Sequence, residues 1–151
     1  MPKIFNTSWG AVLLATLAFY MVGFVWYAFL FQEIYLAASG LTAEQTEQLG
    51  ADKGIMMLVW GLLITLAQAL GLLWVLNLAG AKRLSTSLNI TFWLFTMIAA
   101  PLLAYNCLYG TYPLSGILVD YGHILLGWLA MGAIYAAFRG KDKIELKEPT
   151  S

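Results

Sequence analysis

The chain has 151 residues, 61% of them hydrophobic and 11% charged, and its eight basic and eight acidic residues cancel to zero net charge. A soluble domain averages roughly 45–50% apolar and about 25% charged, and a small domain leaves much of its surface in water. A soluble enzyme, a disordered chain and a disulfide-stapled secreted domain are therefore excluded, and the charge balance offers no nucleic-acid surface.

The charges are sequestered as well as few. None falls between Ile4 and Gln32, and a helix that crosses a membrane needs about 20 mainly apolar residues. The first span is placed at about 9–31. Lys3 and the small run Ala37-Ala38-Ser39 superficially fit a secretory signal. The apolar stretch is too long for one, however, and carries Trp9, Tyr20, Trp26 and Tyr27, so it is expected as an uncleaved helix. Glu33 ends this span. Ser8, Ala11, Ala15, Val22, Trp26 and Glu33 share one of its faces at 100° per residue.

The following loop holds Leu41-Thr-Ala-Glu-Gln-Thr-Glu-Gln-Leu49 between Gly40 and Gly50. Thr42 with Gln45 fits a capping box and Gly50 a C-terminal stop, which predicts a short helix on the outer surface. The second span is placed at 55–78. Its mid-membrane Gln68 suits either an interhelical hydrogen bond or a pore-lining contact.

The next uncharged run, Leu84 to Val119, is too long for one span and too short for two with a loop. Pro and Gly in Gly110-Thr-Tyr-Pro113-Leu-Ser-Gly116 mark a turn, so spans are placed at 88–109 and 117–138. Pro101 cannot donate to the carbonyl of Met97, so a kink is expected, with Thr96 or a neighbouring helix satisfying the freed carbonyl. Asn106 and the lone Cys107 close this helix. Asp120 and His123 lie three apart on one face of the last helix, and that face continues to Gly127 and Ala130 or Met131. A polar-then-small stripe suits helix packing, with an Asp–His hydrogen bond at the helix mouth. The alternative is a proton-handling or metal-binding pair. His123 with one Asp and one Glu falls short of the three or four ligands of a zinc site, so no metal is expected. A flexible, mixed-charge tail is expected from about 140 to 151.

Since lipid cannot satisfy backbone polar groups, these runs are helices. The fold expected is an all-α integral membrane domain, 1–151, an antiparallel bundle of four transmembrane helices. Both termini then share a side with Lys3, Lys82, Arg83, Arg139, Lys141, Lys143 and Lys147, whereas Lys53 is the lone base opposite. That bias makes both termini cytoplasmic. Trp9, Trp74 and Tyr135 fall near the inner interface, and Trp26, Tyr27, Trp60, Tyr105, Tyr109 and Tyr121 near the outer one. There their N–H and O–H groups would meet water.

The segments Trp9-Gly-Ala-Val-Leu-Leu-Ala, Gly23-Phe-Val-Trp26-Tyr27, Leu30-Phe31 and Ser39-Gly40-Leu41-Thr42 resemble the opening of the membrane family named domain of unknown function 1761. Asp120-Tyr-Gly-His123 and Met131-Gly-Ala-Ile-Tyr135 resemble its last helix, where an Asn precedes a Gly-Tyr-His run; here the order is Tyr-Gly-His and an acid stands near the amide position. The resemblance implies a small four-helix protein, largely bacterial and hence of the cytoplasmic (inner) membrane, with no established activity.

Intramembrane polar groups mark candidate sites. Glu33, Asn106, Asp120 and His123 all fall near the outer mouth, which makes that mouth the first place to look for a ligand or ion. No nucleotide, dinucleotide or hydrolase motif is present, and no cofactor is expected. The function expected first is a non-enzymatic component that binds lipid or a small hydrophobic molecule, or an accessory subunit. Gly132/Ala136 and Ala67/Gly71 would serve helix contacts within a chain or in a homo-oligomer. The alternatives are a small oligomeric transporter or ion conductor using the polar mouth, and a membrane enzyme with an Asp–His acid–base pair.

Overall fold

The structure, a computed structural model, describes residues 3–5 and 7–145. The chain opens with a small antiparallel pair, β1 (Lys3–Ile4) and β2 (Thr7–Ser8). Ser8 then caps α1 (Trp9–Val25), its hydroxyl accepting from the Ala11 amide at 3.3 Å. A π-helical turn, Trp26–Leu30, carries the span onward, and α2 (Gln32–Ser39) follows it. Gly40 ends α2 in the left-handed region at φ 68°, where a side chain would be strained.

The long helix α3 (Ala43–Leu78) starts at the Thr42–Gln45 capping box, as its sequence predicts. Gly50 does not end it. The helix runs through Gly50 and Gly54 into the membrane-crossing segment, so the expected separate helix at 41–49 is the first part of α3. A glycine costs a helix interior about 1 kcal/mol, which continued hydrogen bonding on both sides outweighs. The short helix between the first two spans is α2 instead.

Helices α4 (Leu84–Leu94) and α5 (Ala100–Leu108) form the third span, joined by a second π-helical turn, Phe95–Ala99. The irregularity that the proline predicts is therefore taken up one turn earlier. Pro101 sits in the first turn of α5, where a missing N–H is tolerated best. Thr96 does not serve the carbonyl of Met97; its hydroxyl donates to that of Phe92 at 2.9 Å. The last helix, α6 (Leu114–Glu145), begins after Pro113 and extends past the expected end of its span; the rest of the expected tail, 146–151, lies outside the described residues.

Four helical segments are long and apolar enough to cross a membrane: Trp9–Leu30, Glu44–Leu78, Leu84–Leu108 and Leu114–Arg139. The chain is thus a multi-pass membrane protein whose crossing segments are all helical. Helix α6 is central, packing along α1 on one side and along α4 and α5 on the other, while α3 leans on α1. The core joins Ala11, Val12, Ala15 and Phe19 of α1 to Ala69, Leu72, Leu73 and Leu76 of α3 and to Met131 and Tyr135 of α6. It occupies the half of the bundle that ends at Arg139.

Glycines set how close the helices come. A Cβ on Gly127 would collide with the Phe19 ring, one on Gly122 would stand 2.5 Å from the Trp26 indole, and one on Gly132 2.7 Å from the Thr91 hydroxyl. Gly122, Gly127 and Gly132 of α6 are therefore spent on contacts inside the chain, and Gly132 meets Ser87 and Thr91 of α4. Ala67 and Gly71 remain exposed on α3.

Several polar side chains expected at the membrane interfaces are instead interhelical ties. Tyr135 is fully buried and donates to the Ala69 carbonyl at 2.9 Å. Trp26 Nε1 donates to the Val119 carbonyl at 2.9 Å, and the Tyr121 hydroxyl to that of Ala100 at 2.6 Å. Arg139, counted above among the cytoplasmic charges, is buried. Its guanidinium donates to the Ala81 carbonyl at 2.8 Å and to Asn77 Oδ1 at 3.4 Å, closing the turn between α3 and α4. With few waters to serve them in a bilayer, side-chain donors turn to helix carbonyls.

Candidate functional site

The first half of α3 stands away from the bundle, and every residue from Ile55 to Trp60 is exposed. One tie crosses to α1 there, from the Tyr20 hydroxyl to the Leu58 carbonyl at 2.9 Å. The separation leaves a cleft of about 350 Å³. Phe19, Tyr20, Phe24 and Tyr27 of the first span form one wall, Gly61 and Thr65 of α3 the other, and His123 of α6 lines its floor. A second hollow of about 290 Å³ shares Phe24 and Tyr27 and continues toward Gln32, Tyr35 and Thr46. Both volumes are near the lower end of those of small-molecule sites.

The wall from the first span includes the π-helical turn through Tyr27. Such a turn widens the helix locally, and here it lets two consecutive residues, Trp26 and Tyr27, both reach α6. Trp26 lies over Gly122, and Tyr27 reaches the Asp120–His123 face. The Tyr27 hydroxyl is 2.7 Å from Asp120 Oδ1 and 3.3 Å from His123 Nδ1. The expected direct Asp–His hydrogen bond is thus a bridge through a tyrosine of another helix. The imidazole also meets the Phe19 ring edge-on, with centroids 4.7 Å apart, and the Tyr27 ring at 5.0 Å. Tyr35 packs on Tyr27 with centroids 4.9 Å apart.

Asp120 further influences Tyr112, in the loop before α6. Burial first, and then the Asp120 charge, push the Tyr112 hydroxyl up to about 12 from an ordinary value of 10.

One atom is left over. Among the described residues, His123 Nε2 is the buried side-chain nitrogen or oxygen without a well-formed hydrogen bond, and the Phe19 backbone carbonyl is the partner closest to hand for the imidazole. Gly23 of α1 stands opposite it, and a Cβ added there would lie 2.9 Å away. Buried polar atoms are nearly always paired, so an orphan on the lining of a cleft asks for an explanation.

Of the expected outer-mouth residues, the structure brings Asp120 and His123 together. Glu33 lies exposed in the first turn of α2 and Asn106 is exposed on α5; among the described residues neither hydrogen-bonds to the pair. The break at Phe31, after the π-helical turn, takes Glu33 out of the helical register that carries Ala11, Ala15 and Trp26. Mid-membrane Gln68 accepts from Trp128 Nε1 at 2.8 Å, the interhelical hydrogen bond that was one of its two readings. A larger hollow of about 610 Å³ lies between α5 and α6, lined by Pro101, Cys107, Leu114 and Tyr121, but no orphan polar atom faces it among the described residues.

Tyr27 is the member of the site that sequence reasoning missed. It was assigned to the interfacial aromatic belt, and its spacing of 93 residues from Asp120 carries no local signal.

The family described as "Protein of unknown function (DUF1761)" matches residues 10–136, so the chain belongs to that family. No curated protein and no solved structure matches it.

Proposed function

We propose that this member of a family of unknown function is a non-enzymatic, membrane-embedded binding protein that holds a small amphiphilic molecule or lipid chain in the cleft between α1 and α3. The single observation that carries this reading is an apolar cleft, open beside the exposed half of α3, whose lining includes one half-buried imidazole, that of His123. A hydrophobic pocket with few convergent polar groups is the usual form of a ligand site. In a bilayer its opening faces acyl chains. The lysine and arginine bias favours cytoplasmic termini, and the resemblance to a largely bacterial family favours a bacterial inner membrane.

The transport reading finds less support within one chain. Between His123 and the Arg139 end the interior holds Ala69, Leu72, Leu73, Leu76 and Met131, and its buried hydroxyls, those of Thr16, Ser87, Thr91 and Tyr135, are each tied to a backbone carbonyl.

The test uses the full chain in lipid nanodiscs with a fluorescent acyl-chain probe. Saturable binding that is lost in Gly61→Leu supports the reading. That change fills the α3 wall, where the end of the flexible Tyr20 side chain must give way. Partitioning that never saturates, and is equal in both proteins, refutes it.

A further inference from the structure

We propose that the turn between α3 and α4, together with the first turns of α4, binds one anionic glycerophospholipid of the leaflet that surrounds the Arg139 end of the bundle. The site is separate from the cleft between α1 and α3 and does not depend on what that cleft holds.

The charge is assembled at the turn. Arg139, 6% exposed, donates to the Ala81 carbonyl and to Asn77 Oδ1, and both acceptors are neutral. No carboxylate among the described side chains pairs with it. Asp120, on the same helix, lies about 28 Å away at 1.5 Å per residue. A buried charge is screened less than an exposed one, so this guanidinium gives the turn a fixed positive field. Lys82 and Arg83 follow Ala81 directly and are exposed. Arg83 is the N-cap residue of α4, yet its side chain caps nothing. Two exposed cationic side chains thus adjoin a buried one.

Helix α4 carries the pattern into the bilayer. At 100° per residue Ser85, Thr86 and Asn89 share one face, and Phe92 and Trp93 extend it. All five are exposed, whereas Ser87 and Thr91, on the opposite side, are buried against Gly132 of α6. Thr91 and Thr96 direct their hydroxyls to carbonyls one turn back. Among the described residues, Ser85, Thr86 and Asn89 make no side-chain hydrogen bond.

The order along this face is cation, then hydroxyl and amide, then aromatic ring, which is the order of polarity along a phospholipid. From Arg83 to Asn89 the helix rises about 9 Å, close to the roughly 5–8 Å of one polar interfacial layer. A phosphate beside Lys82 and Arg83 therefore sets its glycerol and ester oxygens along Ser85, Thr86 and Asn89, and its acyl chains along Phe92 and Trp93. Net charge selects among lipids. A zwitterionic headgroup brings its own ammonium to a cationic turn, whereas an anionic headgroup brings negative charge alone.

Trp93 makes the site observable. Full-length protein is placed in phosphatidylcholine nanodiscs, and phosphatidylglycerol brominated in its acyl chains is titrated in. The part of the fluorescence quenching that Trp93→Phe removes reports this face. Half-quenching should need less brominated phosphatidylglycerol than brominated phosphatidylcholine, by about 5-fold for each exposed cation engaged. Lys82→Gln combined with Arg83→Gln should erase most of that difference. Arg83→Lys should keep it, and Lys53→Gln, at the far end of the second span, should leave it unchanged. All three side chains are exposed, so these changes leave the packing intact. Equal half-quenching by the two lipids, or a preference that survives the double variant, overturns the proposal. Inorganic phosphate should compete no better than chloride at the same ionic strength. Stronger competition would assign the turn to free phosphate and overturn the lipid as its occupant.

Discussion

The hydroxyl of Tyr27 stands between Asp120 and His123, 2.7 Å from the carboxylate oxygen and 3.3 Å from the imidazole Nδ1. The first span and the last are thereby joined at their polar end by a side chain that belongs to neither partner's helix. This bridge holds the imidazole so that one nitrogen is paired and the other faces Gly23.

Removing the bridge should cost stability. Tyr27→Phe leaves a carboxylate and an imidazole each short of a partner, and a loss of about 1–3 kcal/mol is expected. Denaturation in mixed micelles would measure it. A double-mutant cycle with His123→Ala should show coupling, and strict additivity would mean that the two side chains do not act together.

Close approach of α1 and α6 depends on glycine. Gly127→Ala drives a methyl into the Phe19 ring, which packing must relieve by separating the helices, at about 1–3 kcal/mol. Gly71→Ala is the control. Its Cβ meets nothing within 4 Å, so no loss is expected, and helix propensity should add up to about 1 kcal/mol of stability. Thermal unfolding of the two variants in the same detergent should separate them clearly. Similar losses would argue against this helix pairing.

Arg139 closes the end of the bundle through a fork that lysine cannot copy. Arg139→Lys keeps the charge but can retain at most one of the contacts to Ala81 and Asn77, and should lose about 1 kcal/mol. Arg139→Met leaves the Ala81 carbonyl without its side-chain donor, and the loss should be larger, about 1–3 kcal/mol. Hydrogen exchange at the amides of 79–83 offers a local readout, with faster exchange in both variants.

Alkaline pH should act through Tyr112. Its folded value, raised to about 12 by burial and then by Asp120, lies above the 10 of the unfolded chain. The folded state therefore holds this proton more tightly. Its contribution is complete below pH 10 and is lost as pH rises toward 12. Tyr112→Phe should flatten that part of the stability profile and remove one late-titrating tyrosine from the absorbance titration. An unchanged profile would show that the folded state does not hold the Tyr112 proton more tightly than the unfolded chain.

The sequence by itself determined the membrane character, the four crossing segments and the Thr42–Gln45 start of α3. Lipid forces a long uncharged stretch to satisfy its own backbone as a helix, and a capping box acts over one turn. Both are local rules, legible from neighbours in the chain. The shared face of Asp120, His123 and Gly127 was legible for the same reason, as was the interhelical use of Gln68.

What only the tertiary structure decided lay between helices. Glycines look alike in sequence, yet Gly40 ends a helix, Gly50 passes through one, and Gly23, Gly122 and Gly127 are seats for side chains of a neighbouring helix. Four of the aromatic residues assigned to the membrane surface, Trp26, Tyr27, Tyr121 and Tyr135, proved to be donors to carbonyls or a carboxylate on other helices. The site depends on a π-helical turn that rotates Tyr27 onto α6 and carries Glu33 away. Its pairings span 93 residues or more, across contacts that exist only once the helices have packed.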